Sequence, residues 1–251
     1  MRLNIFFTPA EVTTIQPAAN NVFIVIDVIR ATTSLTVMFE RGARRVLAAN
    51  TLEQARAANR DTARYLLCGE RNARPLPDFD YGNSPVEFAR ADLAERELIL
   101  TTTNGTRAFF ACPEESIRLA GCFYNARAVT AYALAHAQER ESDIAIVCAG
   151  ELNYFALDDA VCAGYLALEL QRQFSSLQLH ESALAAQALY QAYPPAELIK
   201  HTNSARSVRR AGLDADLDFC IQLSASSSVP QVVGREQGLL ALEDVARARL
   251  A

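Results

Sequence analysis

Asp27 and Arg30 stand three residues apart at the end of an apolar run, and Thr32, Thr33 and Ser34 follow directly. A carboxylate can hold a hard cation, and an arginine fork can hold an anion. Hydroxyls ahead of an apolar helical run stand where N-caps stand. Three further polar stretches carry the same residue types: Gly69-Glu70-Arg71, Thr101-Thr102-Thr103-Asn104-Gly105-Thr106-Arg107, and Glu151 with the pair Asp158-Asp159. Any one of them is also an ordinary turn, cap or solvated charge. Together they supply five carboxylates and three arginines, Arg30, Arg71 and Arg107. Oxygen donors suit Mg²⁺ first, and arginines with helix starts suit phosphate, carboxylate or sulfonate. A magnesium ion beside an anion clamp points to phosphoryl transfer to water. His136, His180 and His201 lie outside these stretches, so a zinc site of the His/Cys type is not expected.

Familiar signatures do not account for this set. Asp27 is followed by Val28 and Ile29, so there is no Asp-x-Asp nucleophile pair. Cys-x5-Arg spacing occurs at Cys68/Arg74 and Cys112/Arg118, in both cases without a glycine-rich cradle. Neither a Walker A loop nor GxGxxG is present.

The surrounding sequence predicts the elements that must position these residues. Strands are expected at 3–7, 22–26, 45–48, 65–68, 97–100, 118–120 and 143–148, from their β-branched and apolar content. Helices are expected at 33–40, 51–58, from 108, at 126–137 behind Asn125, from Asp158 to about 173, at 182–192 and at 196–200. Pro9 and Pro17 predict a loop, residues 203–210 a polar segment, 219–223 a strand, and 229–233 a final edge strand that tolerates Pro230. The segment 72–85 is turn-rich and long enough to expect function in it. Strands alternating with helices predict an α/β fold, a largely parallel or mixed sheet with flanking helices. Two stretches echo each other, placing Asp27 over Thr101, Arg30 over Asn104, Ala31 over Gly105 and Thr32 over Thr106. That predicts an internal strand-loop-helix repeat. In a parallel sheet the loops at the strands' carboxyl ends collect on one edge, so the four polar stretches should share a rim.

The totals set the class. The chain has 251 residues, 51% hydrophobic and 21% charged, so it is globular, as a single α/β unit over 1–251 or as two intimately packed lobes. The net charge of -5, with no basic block, argues against nucleic acid. No apolar run approaches the ~20 residues needed to span a membrane, and no signal-peptide segment is evident. Six cysteines without a CxxC pair read as reduced core thiols. A cytoplasmic location is expected.

The sequence resembles the 2-phosphosulfolactate phosphatase (ComB) family. The matching pieces are Val25-Ile26-Asp27-Val28-Ile29-Arg30-Ala31-Thr32-Thr33, Gly69-Glu70-Arg71, Phe79 through Pro85, Thr101 through Arg107, and Cys148-Ala149-Gly150 through Asp158-Asp159 to Gly164. A looser match runs from Asp216 to Pro230. The resemblance implies a Mg²⁺-dependent hydrolase that converts 2-phospho-3-sulfolactate to 3-sulfolactate and phosphate on the way to coenzyme M, with the family's own α/β fold. It places Asp27, Arg30, Glu70 and Arg107 at the reacting centre. Asp27, Glu151, Asp158 and Asp159 would hold the metal. Thr32, Thr33, Ser34, Arg71, Asn83, Ser84, Asn104, Gly105 and Thr106 would bind substrate. The chain departs from the family at 72–76 and 203–206, which leaves another small acidic phosphomonoester open as substrate. A non-enzymatic binder of small anions is the rival from another class. Attack by an activated water and attack by a carboxylate nucleophile are both open, as is assembly into a homo-oligomer.

Overall fold

The structure is a computed structural model that describes residues 1–60 and 64–247. The chain begins β1 (Arg2–Phe6), α1 (Pro9–Ile15), β2 (Val22–Ile26), α2 (Ala31–Glu40), β3 (Arg45–Ala48) and α3 (Leu52–Arg60). It continues β4 (Leu66–Arg71), β5 (Arg74–Pro75), α4 (Pro85–Phe88), β6 (Glu97–Thr101), α5 (Gly105–Ala111) and β7 (Ile117–Gly121). Next come α6 (Ala126–Glu139), β8 (Ile144–Cys148), α7 (Leu157–Gln173), β9 (Gln178–Leu179) and α8 (Glu181–Ala192). The last elements are α9 (Pro195–His201), α10 (Asn203–Arg210), α11 (Asp214–Cys220), β10 (Pro230–Glu236) and β11 (Leu239–Asp244).

Among the described residues, 11 strands form one mixed sheet in the order β5-β4-β6-β3-β11-β10-β7-β2-β8-β1-β9. The strands β2, β6 and β8 are buried at every position; β2 and β8 therefore read as unbroken apolar runs, and β6 as an apolar centre between Glu97 and Thr101. The mixed α/β class is the one the sequence predicts. The route to a shared rim is different. The strands β4, β6 and β3 are parallel to one another, and so are β7, β2, β8 and β1. Between these blocks the β10–β11 hairpin pairs antiparallel with β3 on one side and with β7 on the other. The two parallel blocks therefore run in opposite senses, and their carboxyl ends do not share one edge of a parallel sheet. Strand twist of roughly 20–25° per step makes distant members of such a sheet cross steeply instead of lying end to end. The short helix α5 then packs on β2 and on α1, carrying the loop after β6 to the end of β2.

Several sequence expectations are corrected. The stretch read as a loop between Pro9 and Pro17 contains α1, with a proline in its first turn where its missing N–H costs nothing. The polar segment 203–210 is α10, and the strand expected at 219–223 is replaced by the end of α11. The last predicted strand is interior, not an edge: β10 lies between β11 and β7. Pro230 survives there as its first residue. Its partner β11 goes unpredicted, although Gln237 and Gly238, with φ of 50° and 81°, form the left-handed pair that a two-residue hairpin needs. The structure does not establish the internal repeat. The six cysteines are free and buried. Among the described residues, no helix is long and apolar enough to cross a membrane.

Candidate active site

The site is built on the loop that closes β2. Asp27 accepts the Thr32 amide on its carbonyl at 2.9 Å and the Ala31 amide on its carboxylate Oδ1 at 3.3 Å. The carboxylate thus sits on the first amide of α2, where the helix dipole favours negative charge. Thr32 and Thr33 donate their hydroxyls to the carbonyls of Asp27 and Val28, both at 2.9 Å, and Ser34 donates to the Asn83 carbonyl at 3.2 Å. All three side chains are fully buried in the first turn of α2. They lock the loop, with their hydroxyls engaged by backbone carbonyls, and they do not line the cleft described below.

A second carboxylate ties the ends of neighbouring strands. Asp159, in the first turn of α7, accepts the Val28 amide at 2.9 Å and the Gly150 amide at 3.0 Å. Those residues follow β2 and β8, which pair side by side. A third carboxylate braces the other block. Glu70 accepts the Thr103 amide and hydroxyl on one oxygen and the Ala73 amide on the other, each at 2.9 Å. Loop 101–104 is thereby fixed to the end of β4. Asn104 accepts the Leu152 amide at 3.1 Å and so links that loop to the one after β8.

Arg30 is buried, and its guanidinium is held from two sides. It donates to Asp216 at 2.7 Å and to the Ala73 carbonyl at 2.8 Å. Asp216, on α11, also accepts the Ser84 hydroxyl at 2.5 Å and the Val86 amide at 3.4 Å. Ser84 in turn caps α4 by accepting the Glu87 amide.

These loops enclose a cleft of about 150 Å³. Asp27, Arg30, Glu70, Asn83, Asn104 and Glu151 line it, all six expected at the site. Asn83 Oδ1 is buried there with no protein partner among the described residues, so this carbonyl oxygen is free to accept from a ligand's donor or to face a cation. Behind the lining lie Asp158 and Asp159, both buried. Arg71 and Arg107 are not in this cleft. They line a second depression, with Glu53, Thr102 and others, that shares Thr103 and Leu152 with the first. Arg71 is tethered there to the Glu70 carbonyl and the Thr101 hydroxyl, at 2.6 and 3.4 Å, whereas Arg107 is exposed.

The electrostatics follow from crowding acids in a buried place. Burial raises the Asp27 carboxyl to about 7, helped by the charges of Asp158 and Glu70 and opposed by the Ala31 amide and Arg30. Asp158 rises to about 6 through burial and Glu151, with Ser204 holding it down. Asp159 is pushed well above the usual carboxylate range by burial and by Asp158 and Asp27. Among the described residues, no three acids, histidines or thiols are grouped tightly enough to form a metal cage unaided.

Four contributors escape the sequence reading. Ser204 and Ser207 line the cleft from α10, Asn203 donates to Glu151 at 3.1 Å, and Asp216 holds Arg30. One signal was available: Ala205 and Val208 share an apolar helical face that packs with Leu217 and Ile29, so a helix there had to meet the Asp27–Arg30 loop.

The profile of the 2-phosphosulpholactate phosphatase family matches residues 6–235, from β1 into β10. The chain belongs to this family. A family member from Deinococcus radiodurans, called probable 2-phosphosulfolactate phosphatase, is 37% identical over 85% of this chain and 88% of its own length. One from Thermus thermophilus with the same designation is 36% identical over 94% of this chain and 96% of its own. Another from Thermotoga maritima is 32% identical over 87% of this chain and 92% of its own. The family match takes in all the loops that build the cleft, together with α10 and α11.

The echoing loops meet at Gly105. A Cβ there would lie 2.6 Å from the Ala31 Cβ and 2.7 Å from Asp27 Oδ2. Gly105→Ala should therefore push α5 away from Asp27, at a cost of about 1–3 kcal/mol in stability. The loss of activity should exceed the loss of folded protein. Rates compared with circular dichroism on the same sample check this, and an unchanged rate would show that the two loops need not touch.

Proposed function

We propose that the cleft hydrolyses 2-phospho-3-sulfolactate to 3-sulfolactate and inorganic phosphate with Mg²⁺. The observation that carries the reading is the shared wall. An acid-lined cleft opens beside an arginine-lined depression through Thr103 and Leu152. A substrate with a phosphate at one end and other acidic groups at the other fits that pair. The donor set suits a hard cation: every candidate is an oxygen, and acids raised by burial, and further by neighbouring acids, are stabilised by positive charge. Magnesium uses one or two carboxylates and leaves its other positions to water and substrate phosphate, so a preformed cage is not required. Asp27, Asp158 and Glu151 would hold it, and bound there it would neutralise charge on the phosphoryl oxygens.

The chain's own side chains do the rest. Arg30 presents a fixed positive charge to the phosphate. Asn83 and Asn104 offer amides across the cleft. Glu70 keeps loop 101–104 in place, and Arg71 and Arg107 take the sulfonate and carboxylate. The acid cluster argues against simple anion binding, since Asp27, Glu70 and Glu151 line the cleft and would repel an anion without a cation. Buried free thiols fit a reducing, cytoplasmic setting.

Phosphate release from 2-phosphosulfolactate, phospholactate and phosphoglycolate, with Mg²⁺ and with EDTA, tests the reading. Magnesium-dependent release selective for the sulfonated ester supports it. Release from the other esters alone would keep the phosphatase and change the substrate, and no release from any would leave an anion binder. Arg71→Ala and Arg107→Ala should each lower kcat/KM for the sulfonated ester roughly 10- to 100-fold, the loss of a charge-assisted contact. Phospholactate, which lacks the sulfonate, should lose less. Equal losses on both esters would place the arginines elsewhere than on the sulfonate.

A further inference from the structure

Arg30 needs a reason to stay in one orientation. Its side chain has many rotamers, and the cleft it lines is rich in acids that could each draw it away. We infer that Asp216 is a positioning residue for phosphate binding: from α11 it fixes the Arg30 guanidinium at the wall of the cleft and, through the same carboxylate, fixes the loop that carries Asn83. The inference rests on the proposed phosphatase reading.

The geometry assigns one carboxylate oxygen to each task. Oδ2 takes Arg30 at 2.7 Å. Oδ1 takes the Ser84 hydroxyl at 2.5 Å and the Val86 amide at 3.4 Å. The Arg30 and Asp216 side chains are 3% and 2% exposed, so neither is a surface ion pair screened by water. The Ala73 carbonyl holds a second guanidinium nitrogen at 2.8 Å, which stops rotation about the Asp216 contact. Two fixed nitrogens orient the plane of the guanidinium, while Arg30 still lines the cleft with Asp27 and Glu151. A buried pair of this kind adds little stability compared with packed apolar side chains. What an apolar pair could not supply is a positive charge held still beside the reacting phosphate, where pre-set orientation lowers the cost of binding. The small apolar cluster of Ala205, Val208 and Leu217, packed with Ile29 and Ala73, seats α10 and α11 on the same loops.

The test is calorimetric titration of inorganic phosphate, in the presence of Mg²⁺, into wild type, Asp216→Glu, Asp216→Asn, Arg30→Met and the Arg30→Met/Asp216→Asn double variant, beside kcat and KM. Asp216→Glu keeps the charge and moves it by one methylene. We expect it to weaken phosphate binding about tenfold or more while its circular dichroism stays that of the wild type. The double variant should lose clearly less than the sum of the two single losses, because Asp216 acts mainly through Arg30 and only the smaller share through the Asn83 loop adds to Arg30→Met. Phosphate binding by Asp216→Glu within twofold of wild type overturns the inference, and so do additive losses in the double variant. Absence of phosphate binding by the wild type overturns it as well. If Asp216→Asn does not fold, Asp216→Glu decides. A protein that binds phosphate through Asp216 yet cleaves no sulfonated ester keeps the inference and loses the substrate. One that cleaves the ester with Asp216→Glu unaffected does the opposite.

Discussion

Asp27→Asn should abolish turnover and at the same time make the metal-free protein more stable at pH 8. The two effects have one cause. Asp27 titrates at about 7 in the fold against 3.8 when free, mainly because it is buried and partly because Asp158 and Glu70 are near. The fold therefore favours the protonated form. Below pH 3.8 the group is protonated in both the folded and unfolded chain, and the fold carries no penalty. As pH rises from 3.8 through about 7, the unfolded chain ionises first and stability falls, with the full penalty present above that window. Since one pKa unit is ~1.4 kcal/mol, the neutral amide should return roughly 2–4 kcal/mol at pH 8, shared with the neighbouring acids. Thermal melts with EDTA at pH 4 and pH 8 check this: the curves should coincide at pH 4 and separate at pH 8. Magnesium should raise the melting temperature of the wild type and not of the variant. The rate should drop at least about 10³-fold, as for loss of a group that organises charge at the phosphoryl centre. A variant within tenfold of wild-type rate would remove Asp27 from the chemistry. One that is less stable at pH 8 would refute the penalty on the buried Asp27 charge.

The second large effect lies in the Arg30–Asp216 pair. Either Arg30→Met or Asp216→Leu alone leaves a buried charge without its partner, and each should cost about 3–5 kcal/mol. For a chain of this length that is a fall in Tm of roughly 6–20 °C. The double variant should recover part of the stability, because no buried charge is left unpaired, while the Ser84 hydroxyl and Val86 amide that Asp216 held still lack their acceptor. It should not recover activity. Denaturant melts of the four proteins give the coupling directly. A single Asp216→Leu change costing under about 1 kcal/mol would mean that water reaches the pair.

Much of the site was legible in the sequence because its residues are local to strand ends. The interior of a buried strand is mostly apolar, so an acid directly after the run Val22–Ile26 marks both the strand's end and a polar loop. The same logic exposed Glu70, Asn104 and Glu151, and all of these line the cleft with Asp27. The presence of α2, α5 and α7 after their strands, and the α/β class, followed from periodicity. What the sequence could not supply was direction. The β10–β11 hairpin reverses one parallel block against the other, and no local pattern encodes which strands a hairpin will join. Hence the rim expected from a single parallel sheet is in fact a meeting of two blocks through α5. Side-chain orientation was equally beyond reach. Thr32, Thr33 and Ser34 look like an anion cradle by type, yet they turn inward because the backbone of their own loop needs partners in a buried place. The longest-range decision was that of Asp216, an acid 186 residues from the arginine it holds. Residue type and spacing determined which chemistry was on hand; only the tertiary fold determined which groups line the cleft, since buried polar groups seek partners and the chain's path decides which partner is near.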